Sequence, residues 1–154
     1  YARRIARGIV NARNETPLTT TGELSSLVDA CVPTREPGKH PATRTFQALR
    51  LFINQELAEL DAVLPQALDM LEPGGRLVII SFHSLEDRRV KRFFQEAAKC
   101  DPFPPDLPIR AKEISPVILR PSRPQRPSEG EISDNPRARS AILRWAQKSP
   151  SRQI

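Results

Sequence analysis

An α/β fold is expected from three features of this sequence. Apolar residues recur at helical spacing through the first seventy or so positions. A short, unbroken apolar run, Leu77-Val78-Ile79-Ile80, follows the turn Pro73-Gly74-Gly75. Directly after that run, a polar corner leads into a capped basic helix, SLEDRRVKRFF. Helix, glycine turn, buried strand, corner and helix in this order form a unit whose corner, at the carboxyl end of a parallel strand, faces a ligand crevice.

The elements can be justified in chain order. Residues 2–13 place Ile5, Ile9 and Val10 on one side and Arg3, Arg4, Arg7 and Arg13 around the rest, which predicts an amphipathic basic helix ended by Thr16-Pro17. Thr20 and Glu23 fit a capping box, and the helix that follows turns Leu24, Leu27, Val28 and Cys31 inward until Pro33. Residues 33–42 form a proline-rich charged loop. A long helix is expected from Thr43, carrying Phe46, Leu49, Ile53, Leu57, Leu60 and Leu64 at intervals of three and four, with a break or kink at Pro65. The helix ends at Pro73-Gly74-Gly75.

Without alternation, Leu77 to Ile80 reads as a strand buried on both faces, as in a parallel sheet. Ser84 and Asp87 fit a second capping box, and Val90, Phe93 and Phe94 are the expected buried residues of its helix. Four prolines within residues 101–108 preclude a regular element there. Val117-Ile118-Leu119 is an expected strand, residues 120–136 a mobile surface loop, and residues 140–145 (SAILRW) a second late strand. The long connection between these two strands predicts an antiparallel pair at a sheet edge. Trp145 and Phe46 lie within apolar patterns and are expected in the core.

Composition limits the classes of function. The chain has 154 residues, 38% of them hydrophobic, 16 prolines and a net charge of +6, a balance that favours a polyanionic partner such as RNA or DNA. Cys31 and Cys100 stand far apart and form no CxxC, which fits a reducing, cytoplasmic setting. No apolar run approaches the roughly 20 residues of a membrane span. His40 and His83 lack ligand-spaced partners, so no metal site is expected. The chain opens on Tyr1 in what reads as mid-helix, and is expected to begin inside a larger protein.

Three blocks narrow the reading. They are Leu71-Glu72-Pro73-Gly74-Gly75 with the strand and Ser81-Phe82-His83-Ser84-Leu85-Glu86-Asp87-Arg88; His40-Pro41-Ala42-Thr43-Arg44 with Phe46-Gln47-Ala48; and Asn135-Pro136-Arg137-Ala138-Arg139-Ser140. Together they resemble the bacterial 16S rRNA cytosine-N4 methyltransferases (the RsmH, or MraW, family), with the likeness confined to the C-terminal half of a family member.

The resemblance implies the C-terminal part of a class I (Rossmann-like) methyltransferase sheet preceded by an all-α inserted domain. Residues 1–70 would be a helical substrate-recognition insertion and residues 71–154 the returning half of the catalytic domain. It implies S-adenosyl-L-methionine as methyl donor, with a site mostly outside these residues. It implies 16S rRNA in the small ribosomal subunit as partner, with a homodimer left open. The family's glycine-rich donor loop has no matching position here, so this chain alone is expected to be inactive, to bind the donor poorly and to be unstable. A non-catalytic helical RNA-binding module is the rival reading, and a class I methyltransferase with a protein or DNA acceptor is the second.

Ser81, His83 and Ser84 are the candidates for lining an acceptor pocket at the corner. For Ser84 the alternative is a helix cap, for His83 a structural hydrogen bond at the corner, and for Ser81 corner packing. Lys39, His40, Arg44 and Arg50, with Arg88, Arg89, Lys91 and Arg92, are candidates for phosphate contact, against intramolecular pairing or a solvated face.

Overall fold

The structure is a computed structural model that describes residues 1–34, 37–38, 40–99 and 116–150. The expectations for Lys39, for Cys100 and for the prolines of residues 101–108 lie outside the described residues. The chain falls into two compact units, Tyr1–Glu56 and Leu57–Ile154.

The first unit is helical. Helix α1 spans Ala2–Glu15, α2 Thr21–Cys31 and α3 Thr43–Ile53. Thr20 caps α2 as expected: its hydroxyl accepts from the Glu23 amide at 3.2 Å, and Glu23 Oε2 accepts from the Thr20 amide at 3.0 Å. At Gly8 α1 lies close against α2, since a Cβ there would lie 2.7 Å from Cys31 Sγ. Val28 is fully buried, while Leu24, Leu27 and Cys31 are half-buried.

The single long helix expected from Thr43 is two helices, and the break lies ten residues before Pro65, at Asn54-Gln55. Gln55 adopts φ +53, the left-handed conformation that closes a helix, and its side-chain amide donates to the Phe52 carbonyl at 2.6 Å. Helix α4, Glu56–Met70, instead runs through Pro65. The Gln66 side-chain amide donates to the Ala62 carbonyl at 2.9 Å, helping to satisfy the backbone around the ring.

The second unit places α4 and α5 (Ser84–Ala97) on one face of a small sheet. Strand β1, Arg76–Ser81, pairs antiparallel with β2, Ile142–Gln147, in a register that sets Val78 opposite Trp145 and Ser81 opposite Ile142. The core between helices and sheet is Leu64, Leu68, Val90, Phe94, Ile118 and Ala146, with Leu77, Ile79 and Phe93 packed against it.

Two strand expectations do not hold. Among the described residues β1 is half-buried rather than buried on both faces, and its described neighbour is antiparallel. Leu77 and Ile79 face the core, whereas Val78 and Ile80 are each 54% exposed. Trp145 lies outside the core, half-buried, with the Arg76 guanidinium 5.1 Å from its ring centroid. Because cross-strand partners share a face, it belongs with Val78 on the side of the sheet away from α4 and α5.

The other edge of β2 is lined by residues 117–125, where the sequence predicts a strand and then a loop. Leu119, Ser122 and Gln125 donate to the carbonyls of Gln147, Trp145 and Leu143 at 2.8–2.9 Å. The antiparallel relation holds, although only isolated bridges form, at Ile118–Lys148 and Gln125–Leu143. Residues 128–140 fold into a short helix α6, Glu129–Asp134, capped by Ser128, and a 3₁₀ helix, Pro136–Ser140. The late strand therefore starts two residues after Ser140.

The Pro73-Gly74-Gly75 turn is held by the end of β2. Gly74 takes φ +83, its amide donates to the Lys148 carbonyl, and the Lys148 amide donates back to the Gly75 carbonyl. Lys148 Nζ donates to the Asp69 and Leu71 carbonyls at 3.0 and 2.8 Å, placing a cation at the C-terminus of α4.

Candidate functional site

The corner between β1 and α5 is built from one reciprocal cap and one ion pair. The cap is His83, not Ser84. Its Nδ1 accepts from the Glu86 amide at 3.3 Å, and Glu86 Oε2 accepts from the amides of Phe82 and His83 at 2.9 and 3.3 Å. An Nδ1 that accepts carries no proton, so the neutral ring holds its proton on Nε2. Nε2 is buried and 3.2 Å from Glu86 Oε1, but lacks the alignment of a hydrogen bond.

The frame is set by Asp87. Had Ser84 been the cap, the Asp87 carboxylate would have turned back onto the first turn of α5. It turns instead to β2, where Arg144 Nε donates to Oδ1 at 2.6 Å and Nη2 to Oδ2 at 3.0 Å. Successive helical residues point about 100° apart, so Glu86 can serve the cap while Asp87 reaches the sheet. Arg144 holds the Asp87 carboxyl below the ordinary carboxylate range despite partial burial, with Arg126 and Lys91 adding attraction.

Of the three predicted corner residues, Ser81 is 3% exposed at the end of β1, His83 is half-buried in the cap, and Ser84 is exposed at the first position of α5. Phe82 between them is 55% exposed. Sequence reasoning missed Glu86 and Arg144 as the groups that shape the corner. The spacing of His83 and Glu86 matched a capping box but was overshadowed by Ser84 and Asp87, since serine is the stronger cap. Nothing in the sequence pointed from Arg144 to Asp87.

The basic candidates divide by partner. On α5, Arg88 is exposed, Arg89 pairs with Asp61 of α4, and Arg92 pairs with Glu96 at 2.8 Å. These pairs are solvent-exposed and worth little individually, so a phosphate can replace the carboxylate partner at small cost. In the first unit Arg50 pairs with Glu56 at 2.8 Å. His40 Nδ1 accepts from the Ala42 amide at 3.2 Å at the entry to α3. His40 and Arg44 line a cavity of about 530 Å³ together with Ile5, Ile9, Val32 and Leu49. Among the described residues no three His, Cys, Asp or Glu side chains cluster as metal ligands, and no helix is long and apolar enough to cross a membrane.

A helix-covered two-stranded sheet with a capped, ion-paired corner defines a mixed helix and strand protein. The chain belongs to the MraW methylase family, which matches residues 1–149. It is similar to the ribosomal RNA small subunit methyltransferase H of Dechloromonas aromatica (strain RCB), with 54% identity over 149 residues, 96% of this chain and 48% of that protein. The methyltransferase H of Coxiella burnetii (strain RSA 493 / Nine Mile phase I) is 56% identical over 148 residues, and that of Chromohalobacter salexigens is 54% identical over 149, covering 48% and 45% of those proteins. The chain spans about half the length of the curated relatives it matches.

Proposed function

We propose that this chain forms part of an S-adenosyl-L-methionine-dependent methyltransferase that modifies the N4 amine of a cytosine in 16S rRNA of the small ribosomal subunit. The observation that carries the reading is the family match across residues 1–149, with relatives above 50% identity that are named as methyltransferases of small-subunit ribosomal RNA. Cytosine N4 as acceptor, the cytoplasm as setting and the Rossmann-like class belong to the same proposal. So does the division into a helical substrate-recognition insertion and a catalytic half. In this proposal the insertion comprises residues 1–70 and the catalytic half residues 71–154, while the compact units divide between Glu56 and Leu57.

In this proposal the donor site lies mostly outside these residues. The two carboxylates of the corner are engaged, Glu86 by backbone amides and Asp87 by Arg144, so neither offers a free acidic ligand to a ribose. The donor would supply an electrophilic methyl group. This chain's contribution is on the acceptor side. The exocyclic amine of cytosine is a weak nucleophile because its lone pair is delocalised into the ring, and positioning is what most effectively lowers such a barrier, by up to about 7–11 kcal/mol. A base in structured RNA must also leave its stack. In this proposal Ser81 and Ser84 line the wall beside the acceptor, and His83, through its cap on α5, holds that wall in place. Arg88, Arg89 and Arg92 on α5, and Lys39, His40, Arg44 and Arg50 in the first unit, contact phosphates.

The test is methyl transfer from labelled donor to small ribosomal subunits. The protein assayed is this chain joined to the portion of the Dechloromonas aromatica relative that it does not cover. Incorporation at a cytosine N4 is the expected result. Salt-dependent RNA binding without transfer would favour the RNA-binding module, and transfer to DNA or protein alone would favour the other acceptor class. Replacing Arg88 and Arg92 by Ala should weaken RNA binding and reduce the salt slope by about 1 for each phosphate no longer neutralised.

A further inference from the structure

We infer that His83 is a positioning residue of the acceptor pocket, a helix cap that fixes the corner, and that it takes no proton from the reacting amine. The inference rests on the methyltransferase reading and deepens it. One ring nitrogen is engaged by a hydrogen bond and the other is closed off by burial. Nδ1 accepts from the Glu86 amide, and Nε2 is buried against Glu86 Oε1 at 3.2 Å. A ring in this state has no lone pair directed at a substrate.

What the cap controls is the backbone of Phe82 and His83. Their two amides converge on Glu86 Oε2, which pins the last peptide units after β1. On the other side of the same helical turn, the Asp87–Arg144 pair ties α5 to β2. The strand end, the helix start and the neighbouring strand are thereby locked together. Ser81 is held inside and Phe82 is turned out, the one exposed aromatic ring between strand and helix. A corner locked twice over five residues is the kind of rigid support that positioning an acceptor requires, since an ångström of misplacement costs about a hundredfold in rate.

The experiment uses the joined protein described above and compares His83→Asn with His83→Ala. Asparagine caps helices well through its side-chain oxygen and has no imidazole, whereas alanine does not cap. His83→Asn is expected to retain kcat within about threefold, and His83→Ala to lower kcat by tenfold or more, with KM for RNA unchanged in both. Both are measured where circular dichroism shows the proteins fully folded. Equal loss in the two variants overturns the inference, as does full activity of His83→Ala. A second, activity-independent readout is nitrogen NMR of His83 in the same protein: a bare Nδ1 and a protonated Nε2 are expected, and a protonated Nδ1 at neutral pH overturns it. If the unsubstituted protein transfers no methyl group, the methyltransferase reading falls, while the NMR result still decides the cap.

Discussion

Asp87 and Arg144 carry the clearest pH-dependent contact. A carboxyl whose folded-state pKa is lowered binds its proton more readily in the unfolded chain, so stability rises with pH through that range. The contribution is complete above the ordinary carboxyl value of about 4 and is lost as pH falls through the lower folded value. Asp87→Asn should remove that acid slope and cost about 2 kcal/mol at neutral pH, because Arg144 keeps a charge that is only 12% exposed with its partner gone. Thermal melts of parent and variant from neutral pH down to about pH 3 check this. An unchanged slope would show that the pair contributes nothing. The same residue explains the cap. Ser84 and Asp87 satisfy the local pattern for a capping box, yet a partner on a strand more than fifty residues away recruits Asp87 and leaves His83 with Glu86.

At the scale of elements, the helix break between α3 and α4 follows the backbone rather than the proline. Pro65 removes one donor from α4, and packing of Leu64 and Leu68 into the core holds the helix on either side of it. The helical run breaks instead at Gln55, where a non-glycine residue sits at φ +53. Left-handed geometry costs an L-residue roughly 1–2 kcal/mol. Gln55→Gly relieves that cost, loses the bond from the side chain to Phe52, and should raise stability by about 0.5–1 kcal/mol. Denaturant unfolding checks it, and destabilisation would show that the side-chain bond outweighs the backbone strain. The apolar spacing from Phe46 to Leu64 made both helices legible. It could not reveal the break, because two helices joined by two residues keep nearly the same period.

For the whole molecule, the open face of the sheet is the dominant feature. Val78, Ile80 and Phe82 are each more than half exposed, and no described strand pairs with the edge of β1 opposite β2. An unpaired edge beside an apolar face promotes self-association. Dynamic light scattering of this chain alone should show concentration-dependent assemblies. Val78→Lys with Ile80→Lys should reduce them, because charge on that face opposes stacking while Leu77 and Ile79 keep the core. Monodisperse parent protein would refute the expectation. An edge is also why the strand misled. A continuous apolar run is the pattern of a strand covered on both sides, and the described residues cover one side only.

The sequence by itself determined where the helices of the first unit run, the cap of α2 and the glycine turn before β1. It also determined the buried face of α5 and, through three short blocks, the family. Each of these is written in spacing, capping chemistry or motif within a few residues. Only the tertiary structure decided which of two overlapping frames caps α5, which face of β1 is packed, where the long helix breaks and that α4 belongs with the sheet. The choice of cap and the packed face depend on Arg144 and on the core under α4, groups distant in the chain. A competition between near-equal local options is settled by whichever distant partner is brought within reach.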